Sequence, residues 1–134
     1  MLELDTVQRL IFVIGHKNNM IHIVLKWKPI STQHAYWQRG KIRYMKSDAK
    51  DTKNSYILQA RCQYKGETLK TSLSVYIRLY FWDKRVRDWD NWHKISMDSL
   101  TGIVFDDDSQ IKLATVEIMQ PDKDPRIEIH IEEI

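Results

Sequence analysis

Two acidic segments hold the residues whose types and spacing could carry out chemistry. Asp88 and Asp90 flank a tryptophan, and residues 106–108 are three consecutive aspartates about one helix further along the chain. In extended backbone, residues i and i+2 point the same way, so the first two carboxylates can reach one hard cation. Asp108 would supply a third ligand, with Asp107 as the alternative. Because such carboxylates repel one another unless a cation lies between them, the pattern predicts a divalent-metal site that hydrolyses phosphodiesters.

Basic side chains beside the acidic segments fit the same chemistry. Lys94 follows Asp90 by about one helical turn and could stabilise charge that develops on a scissile phosphate. Arg85 and Arg87 could hold the flanking phosphates of a nucleic-acid backbone. A simpler interpretation makes Asp90 a helix cap and lets Lys94 pair with Asp90 or Asp98 on the helix surface.

The composition is that of one soluble globular domain with a basic region. The chain has 134 residues, of which 43% are hydrophobic, and a formal net charge of +3. These values argue against disorder. Cations are concentrated over residues 39–53, and the candidate phosphate contacts are Arg39, Lys41, Arg43 and Lys46. Three interleaved aromatic residues could either stack on exposed bases or anchor a loop: Tyr36, Trp37 and Tyr44.

Several classes of protein are disfavoured. Cys62 is the only cysteine, so an intramolecular disulfide is impossible and a reducing cytoplasm fits best. No stretch approaches the ~20 apolar residues that a membrane span requires. The histidines show no zinc-ligand spacing, and His93 is expected on the surface of a helix. Residues 1–19 are interpreted as an N-terminal extension and residues 20–134 as the domain.

Hydrophobic periodicity predicts an α+β fold, with a small mixed or antiparallel sheet of about four strands and two helices packed on it. The predicted strands cover 21–27, 73–81, 111–119 and 126–134. One helix is predicted from an N-cap at Ser47 to about residue 64, and another over 91–100, capped by Asp90. Residues 30–46 are predicted as a loop or ribbon. Residues 121–125 are predicted as a hairpin turn between the last two strands.

The acidic segments are similar to those of a known family. Residues 87–94 read Arg-Asp-Trp-Asp-Asn-Trp-His-Lys, residues 98–101 read Asp-Ser-Leu-Thr, and residues 107–110 read Asp-Asp-Ser-Gln. This pattern resembles the RusA family of Holliday-junction resolvases, with tryptophans in place of two leucines. The resemblance extends to the Trp-x-Pro-x-Ser stretch within 21–31 and to the Arg-Ile-Glu-Ile strand at the end of the chain. It covers roughly residues 20–134.

The resemblance implies a small homodimeric endonuclease that cuts four-way DNA junctions by paired, Mg²⁺-dependent incisions, with Mn²⁺ as an alternative ion. Its metal-binding aspartates fall on Asp88, Asp90 and Asp108, and its functional lysine falls on Lys94. The family is common in phages and prophages, so the expected location is the cytoplasm of a bacterium or of a phage-infected host cell. Branched DNA is the expected partner, with no membrane and no small-molecule substrate.

Two other functions stay open at this point. One is a non-catalytic module that binds branched or single-stranded DNA, in which the aspartates only cap and hydrogen-bond. The other is a metal nuclease that acts on different branched DNA, such as flaps or replication forks. The three aspartates together with Lys94 favour an enzyme, because a DNA-binding module gains nothing from uncompensated carboxylates near phosphates.

Overall fold

The computed structural model describes residues 20–134, so the predicted extension 1–19 lies outside the described residues. The described chain has a four-stranded mixed sheet, a separate two-stranded sheet and two main helices, which confirms the predicted α+β class. The strands are β1 Ile21–Lys26, β2 Tyr36–Arg39, β3 Ile42–Met45, β4 Leu73–Tyr80, β5 Ile111–Ile118 and β6 Arg126–Glu133. The helices are α1 Ser47–Gln63 and α2 Lys94–Leu100. No helix within this part of the chain is long and apolar enough to cross a membrane.

The strand order of the main sheet is β1-β6-β4-β5, with β6 antiparallel to both of its neighbours and β4 parallel to β5. The predicted hairpin at residues 121–125 is therefore wrong, because β4 lies between β5 and β6. The reason is burial. Ile127, Ile129 and Ile131 of β6 are fully buried, as expected for a central strand, whereas most of β5 is exposed, as suits an edge strand.

The core lies between one face of the sheet and the helices. Ile23 of β1, Ile129 of β6 and Ile77 of β4 stand side by side across three paired strands, and each is almost completely buried. The buried residues of α1 recur at helical spacing, as the sequence predicted: Ala49, Thr52, Tyr56 and Ala60. Small residues at three of these four positions let the helix approach the sheet closely.

The predicted helix boundaries need two corrections. Ser47 is the first residue of α1, and Lys46 is its N-cap, with extended backbone and a carbonyl that accepts a bond from the N–H of Lys50. Asp90 does not cap the second helix. The chain first forms a 3₁₀ turn, Trp89–Asn91, and α2 begins after His93. Trp92 explains the delay, because its ring packs edge-on against buried Phe81 and holds this part of the chain on the core.

Two glutamines of α1 complete the free edge of β1. The side chain of Gln63 accepts a hydrogen bond from the N–H of Val24 at 2.8 Å and donates to its carbonyl at 2.6 Å. The side chain of Gln59, one turn earlier, makes the same pair of bonds with Lys26 at 2.7 and 3.0 Å. The helix therefore satisfies backbone groups that would otherwise be open to another strand.

Candidate active site

An arginine with a buried side chain fixes the segment that leads into the acidic turn, which is formed by residues 88–91. The guanidinium carbon of Arg87 lies 4.0 Å from the ring centroid of Phe81, 4.9 Å from that of Trp82 and 5.5 Å from that of Trp92. Its Nη2 is 2.8 Å from a carboxylate oxygen of Asp83, and only 4% of the side chain is exposed. The guanidinium therefore has little surface left for a DNA phosphate, and its contacts hold the backbone just before the first acidic residue.

The acidic turn itself is tied to a distant segment. Asp88 has extended backbone and precedes the 3₁₀ turn that contains Asp90, so the two carboxylates are not carried by one extended stretch as the spacing suggested. Asn91 donates from Nδ2 to the hydroxyl of Ser31 at 2.6 Å, and its Oδ1 accepts from the backbone N–H of Gln33 at 3.2 Å. These bonds fix the turn, whereas both aspartate side chains are exposed to solvent.

Asp107 and Asp108 have different surroundings. Asp107 forms a capping box with Gln110: its carboxylate accepts from the N–H of Ser109, and its own N–H donates to the Gln110 side chain. Hydrogen bonds from the hydroxyl and the backbone N–H of Ser109 lower the pKa of Asp107 below its usual value. Asp108, in contrast, is exposed, its side chain takes no part in this cap, and it lines a cavity.

The cavity joins the two acidic segments. Its volume is about 380 Å³, and it is lined by Asp108, by Trp89 of the acidic turn and by His93. Strands β4 and β5 and helix α2 supply the apolar remainder: Val75, Ile77, Met97, Ile111, Ala114 and Val116. Even so, within residues 20–134 no three His, Cys, Asp or Glu side chains lie close enough together to hold a metal ion. The segments are neighbours, but their carboxylates do not form a compact ligand set.

The aspartates in and near the two acidic segments differ in whether they already have a partner. Asp83 pairs with Arg87, Asp98 with Lys94 at 3.3 Å and Asp106 with Lys70 at 2.8 Å. In contrast, Asp88, Asp90 and Asp108 are exposed and form neither an ion pair nor a side-chain cap within the described part of the chain. A cation that approached any of these three carboxylates would not have to displace an existing ion pair. Exposed carboxylates with room for water suit Mg²⁺ or Mn²⁺ rather than a softer metal.

Lys94 and His93 have contrasting environments. Lys94 is exposed and points toward Asp98, as the simpler interpretation of its spacing predicted. His93 is half-buried, and its Nδ1 is buried without a hydrogen-bond partner in the described residues. Burial lowers the pKa of His93, although the Asp90 carboxylate opposes this effect. The expected surface location of His93 is therefore wrong. The i, i+4 spacing from His93 to the apolar Met97 was the signal that could have indicated an inward position.

The predicted phosphate contacts fall into two groups. Four of these side chains are exposed: Arg39, Lys41, Lys46 and Arg85. Arg43 is also exposed, but its guanidinium carbon lies 4.0 Å from the ring centroid of Tyr36. Arg43 and Arg87 are therefore engaged with aromatic rings. The four exposed cations without such a ring can contact a polyanion without losing a cation–ring interaction.

The comparison with known families covers this whole region. The model of the RusA endodeoxyribonucleases matches residues 26–132, which include every candidate site residue discussed above. No curated protein matches the chain. The match spans most of the described domain and confirms the resemblance seen in the acidic segments. The chain therefore belongs to the RusA endodeoxyribonuclease family.

Proposed function

We propose that this protein resolves four-way DNA junctions by paired, metal-dependent hydrolysis of phosphodiester bonds. Membership of an endodeoxyribonuclease family gives the reaction class and implies a junction substrate. The observation that carries the proposal further is the set of three exposed aspartates without ion-pair partners, on two segments that meet at one cavity. Neighbouring aspartates are already paired or used as a cap, which singles these three out.

Each residue then has a separate task. Asp88, Asp90 and Asp108 would hold Mg²⁺, or Mn²⁺, through their carboxylate oxygens once their exposed side chains turn toward one ion. Such an ion, when bound, lowers the pKa of a coordinated water and stabilises charge on the leaving oxygen. Lys94 would exchange its partner Asp98 for an oxygen of the scissile phosphate and stabilise the transition state. Arg87 would act as a positioning residue, since its cage of aromatic rings sets the backbone that carries Asp88.

The remaining features of the proposal concern DNA binding and assembly. Exposed cations at Arg39, Lys41, Lys46 and Arg85 would contact backbone phosphates and make the affinity fall with salt concentration. A homodimer would present two acidic sites related by two-fold symmetry, which matches the symmetry of a four-way junction. Paired incisions would then follow from one binding event, because both sites would face equivalent strands.

The test is cleavage of a synthetic four-way junction with Mg²⁺ or with a chelator. Wild-type protein should make symmetric nicks only with Mg²⁺. Asp90→Asn should lose cleavage but keep or strengthen binding, because removing a negative charge eases the approach of DNA. Asp106→Asn is the matched control, since Asp106 is an exposed aspartate beside the site that already pairs with Lys70. It should cut like the wild type.

The other outcomes separate the alternatives. Binding of the junction without cleavage by the wild type, with either Mg²⁺ or Mn²⁺, would favour a non-catalytic DNA-binding module. Nicking of flaps or forks in preference to four-way junctions would favour a nuclease with a different branched substrate. Equal loss of cleavage in Asp106→Asn would show that the general charge of this surface matters and not the three aspartates.

A further inference from the structure

The two-stranded sheet of β2 and β3 has two unlike faces. Tyr36 pairs across the strands with Met45, and both pack against the hydrophobic core as partly buried side chains. Trp37 pairs with Tyr44 at the next position, so these two side chains point away from the core. They are 45% and 38% exposed. Of the aromatic residues whose role the sequence left open, one therefore anchors the hairpin and two face solvent.

The two exposed rings are stacked on each other. The centroids of Trp37 and Tyr44 are 4.6 Å apart, and the ring planes differ by only 20°. Ile42, two residues before Tyr44 in β3, is also exposed on this face. Stacked rings with a free face offer a large apolar area of the kind on which nucleobases stack.

The charge around this surface indicates what covers it. No Asp or Glu occurs between residues 20 and 47, whereas the hairpin and its ends carry four exposed cations: Arg39, Lys41, Arg43 and Lys46. A second copy of the same face would bring like charges together, and an apolar partner would leave them without counter-charges. A polyanion that also presents flat apolar groups satisfies both requirements. Nucleic acid with exposed bases has this chemistry.

The hairpin is held in a defined position relative to the acidic turn. The N–H of Lys46 donates to the carbonyl of Ala35 at 2.8 Å and closes the base of the hairpin. The helical turn Thr32–Ala35 leads directly into β2. Asn91 of the acidic turn bonds both Ser31 and Gln33, at the start of that helical turn. DNA that contacts the hairpin would therefore be oriented with respect to Asp88 and Asp90.

We propose that the β2–β3 hairpin is a binding site for unpaired DNA bases. A base stacks on the Trp37–Tyr44 pair, while adjacent phosphates contact Arg39, Lys41 and Lys46. This inference rests on the proposed function in so far as the substrate is DNA, and it adds a basis for selectivity. The protein prefers branch points or single strands with accessible bases over continuous duplex, whose bases are stacked on one another.

Binding is measured without metal, so that no cleavage occurs, by fluorescence anisotropy of a labelled oligo-dT and of a blunt duplex of equal length. Trp37→Ala and Tyr44→Ala should each weaken single-strand binding about 5- to 150-fold. Duplex binding should change less than about twofold, because phosphate contacts dominate it. Trp37→Phe keeps a ring and should retain most of the affinity. Leu58→Ala, at an exposed apolar residue of α1, should change neither affinity.

A second measurement keeps the test valid if the alanine variants disturb the hairpin. An oligonucleotide that carries 2-aminopurine should lose base fluorescence when wild-type protein binds and should lose much less with Trp37→Ala. Equal losses of single-strand and duplex affinity, or no loss of either, would overturn the inference. So would dissociation of a dimer by Trp37→Ala with DNA affinity unchanged, because the face would then be a subunit interface.

The outcomes for the hairpin and for the active site can be told apart. If the wild type cuts four-way junctions but Trp37→Ala binds single strands normally, the base-stacking inference fails and the proposed function stands. If the wild type cuts no branched DNA but base quenching depends on Trp37, the proposed function fails and the base-stacking site stands.

Discussion

The Nδ2 of Asn91 donates a 2.6 Å hydrogen bond to the hydroxyl of Ser31, 60 residues away in the sequence. Ser31 is buried, and Asn91 also accepts a bond from the backbone of Gln33. One asparagine therefore joins the acidic turn to the segment that leads into the β2–β3 hairpin. The bond connects the candidate catalytic aspartates with the candidate DNA-binding surface.

This bond can be tested by a double-mutant cycle. Asn91→Ala and Ser31→Ala should each destabilise the fold, and the double variant should lose less than the sum of the two. The expected coupling energy is about 0.5–1.5 kcal/mol, as for a single internal hydrogen bond. Urea unfolding measures the free energies. Additive losses would show that the two side chains do not depend on each other in solution.

The two neighbouring aspartates of the second acidic segment should behave differently when each is changed to asparagine. Asp108→Asn should reduce junction cleavage about 100-fold or more, as is typical when a group that stabilises the transition state is removed. It should also weaken Mn²⁺ binding measured by calorimetry. Asp107→Asn should lower the unfolding midpoint through its cap and affect Mn²⁺ binding less. The reverse result would make Asp107 the ligand.

Arg87 and Lys41 should differ in how they affect the salt dependence of DNA binding. Lys41 is exposed, so Lys41→Ala should reduce the slope of log affinity against log salt by about one phosphate contact. Arg87→Gln should leave the slope unchanged, because the guanidinium is buried against aromatic rings. It should instead cost about 1–3 kcal/mol of stability, since glutamine can neither pair with Asp83 nor reproduce the planar contacts. A slope reduced by about one phosphate contact for Arg87→Gln would place the charge of Arg87 on DNA.

His93 should make the fold less stable in mild acid. Its pKa is lowered in the folded state, chiefly by burial, and lies near its ordinary value of 6.5 in the unfolded chain. The unfolded chain therefore binds the proton first, so stability is complete above about pH 6.5 and falls as pH drops through the folded pKa. His93→Gln should lose less stability than the wild type between pH 7.5 and pH 5.5 in urea unfolding. Because burial also lowers the pKa of His22, only the difference between the two proteins isolates His93. If the stability of the wild type and of His93→Gln falls equally with pH, His93 is not buried in the way described.

Much of the local structure could be predicted because it depends on short-range patterns in the sequence. The alternation of Ile21, Ile23 and Leu25 marked β1, and the spacing of the small residues in α1 marked its buried face. The acidic motif also depends on order and spacing alone, and for this reason the sequence by itself was enough to indicate the family. These features need only the period of a strand, the period of a helix and a run of side-chain types.

Long-range packing decided the rest. β6 lies between β1 and β4, where its isoleucines are buried in the core. The residues of the turn that precedes β6 do not specify this position in the sheet. Arg87 and Arg85 look equivalent in the sequence, yet only Arg87 meets the rings of three aromatic residues from other positions. Gln110 bonds the carbonyls of Leu69 and Thr71 and completes the cap that occupies Asp107 but not Asp108. The strand order and the Gln110 bonds join residues far apart in the chain, and the Arg87 contacts depend on how residues 81–92 fold against the core; local periodicity encodes neither.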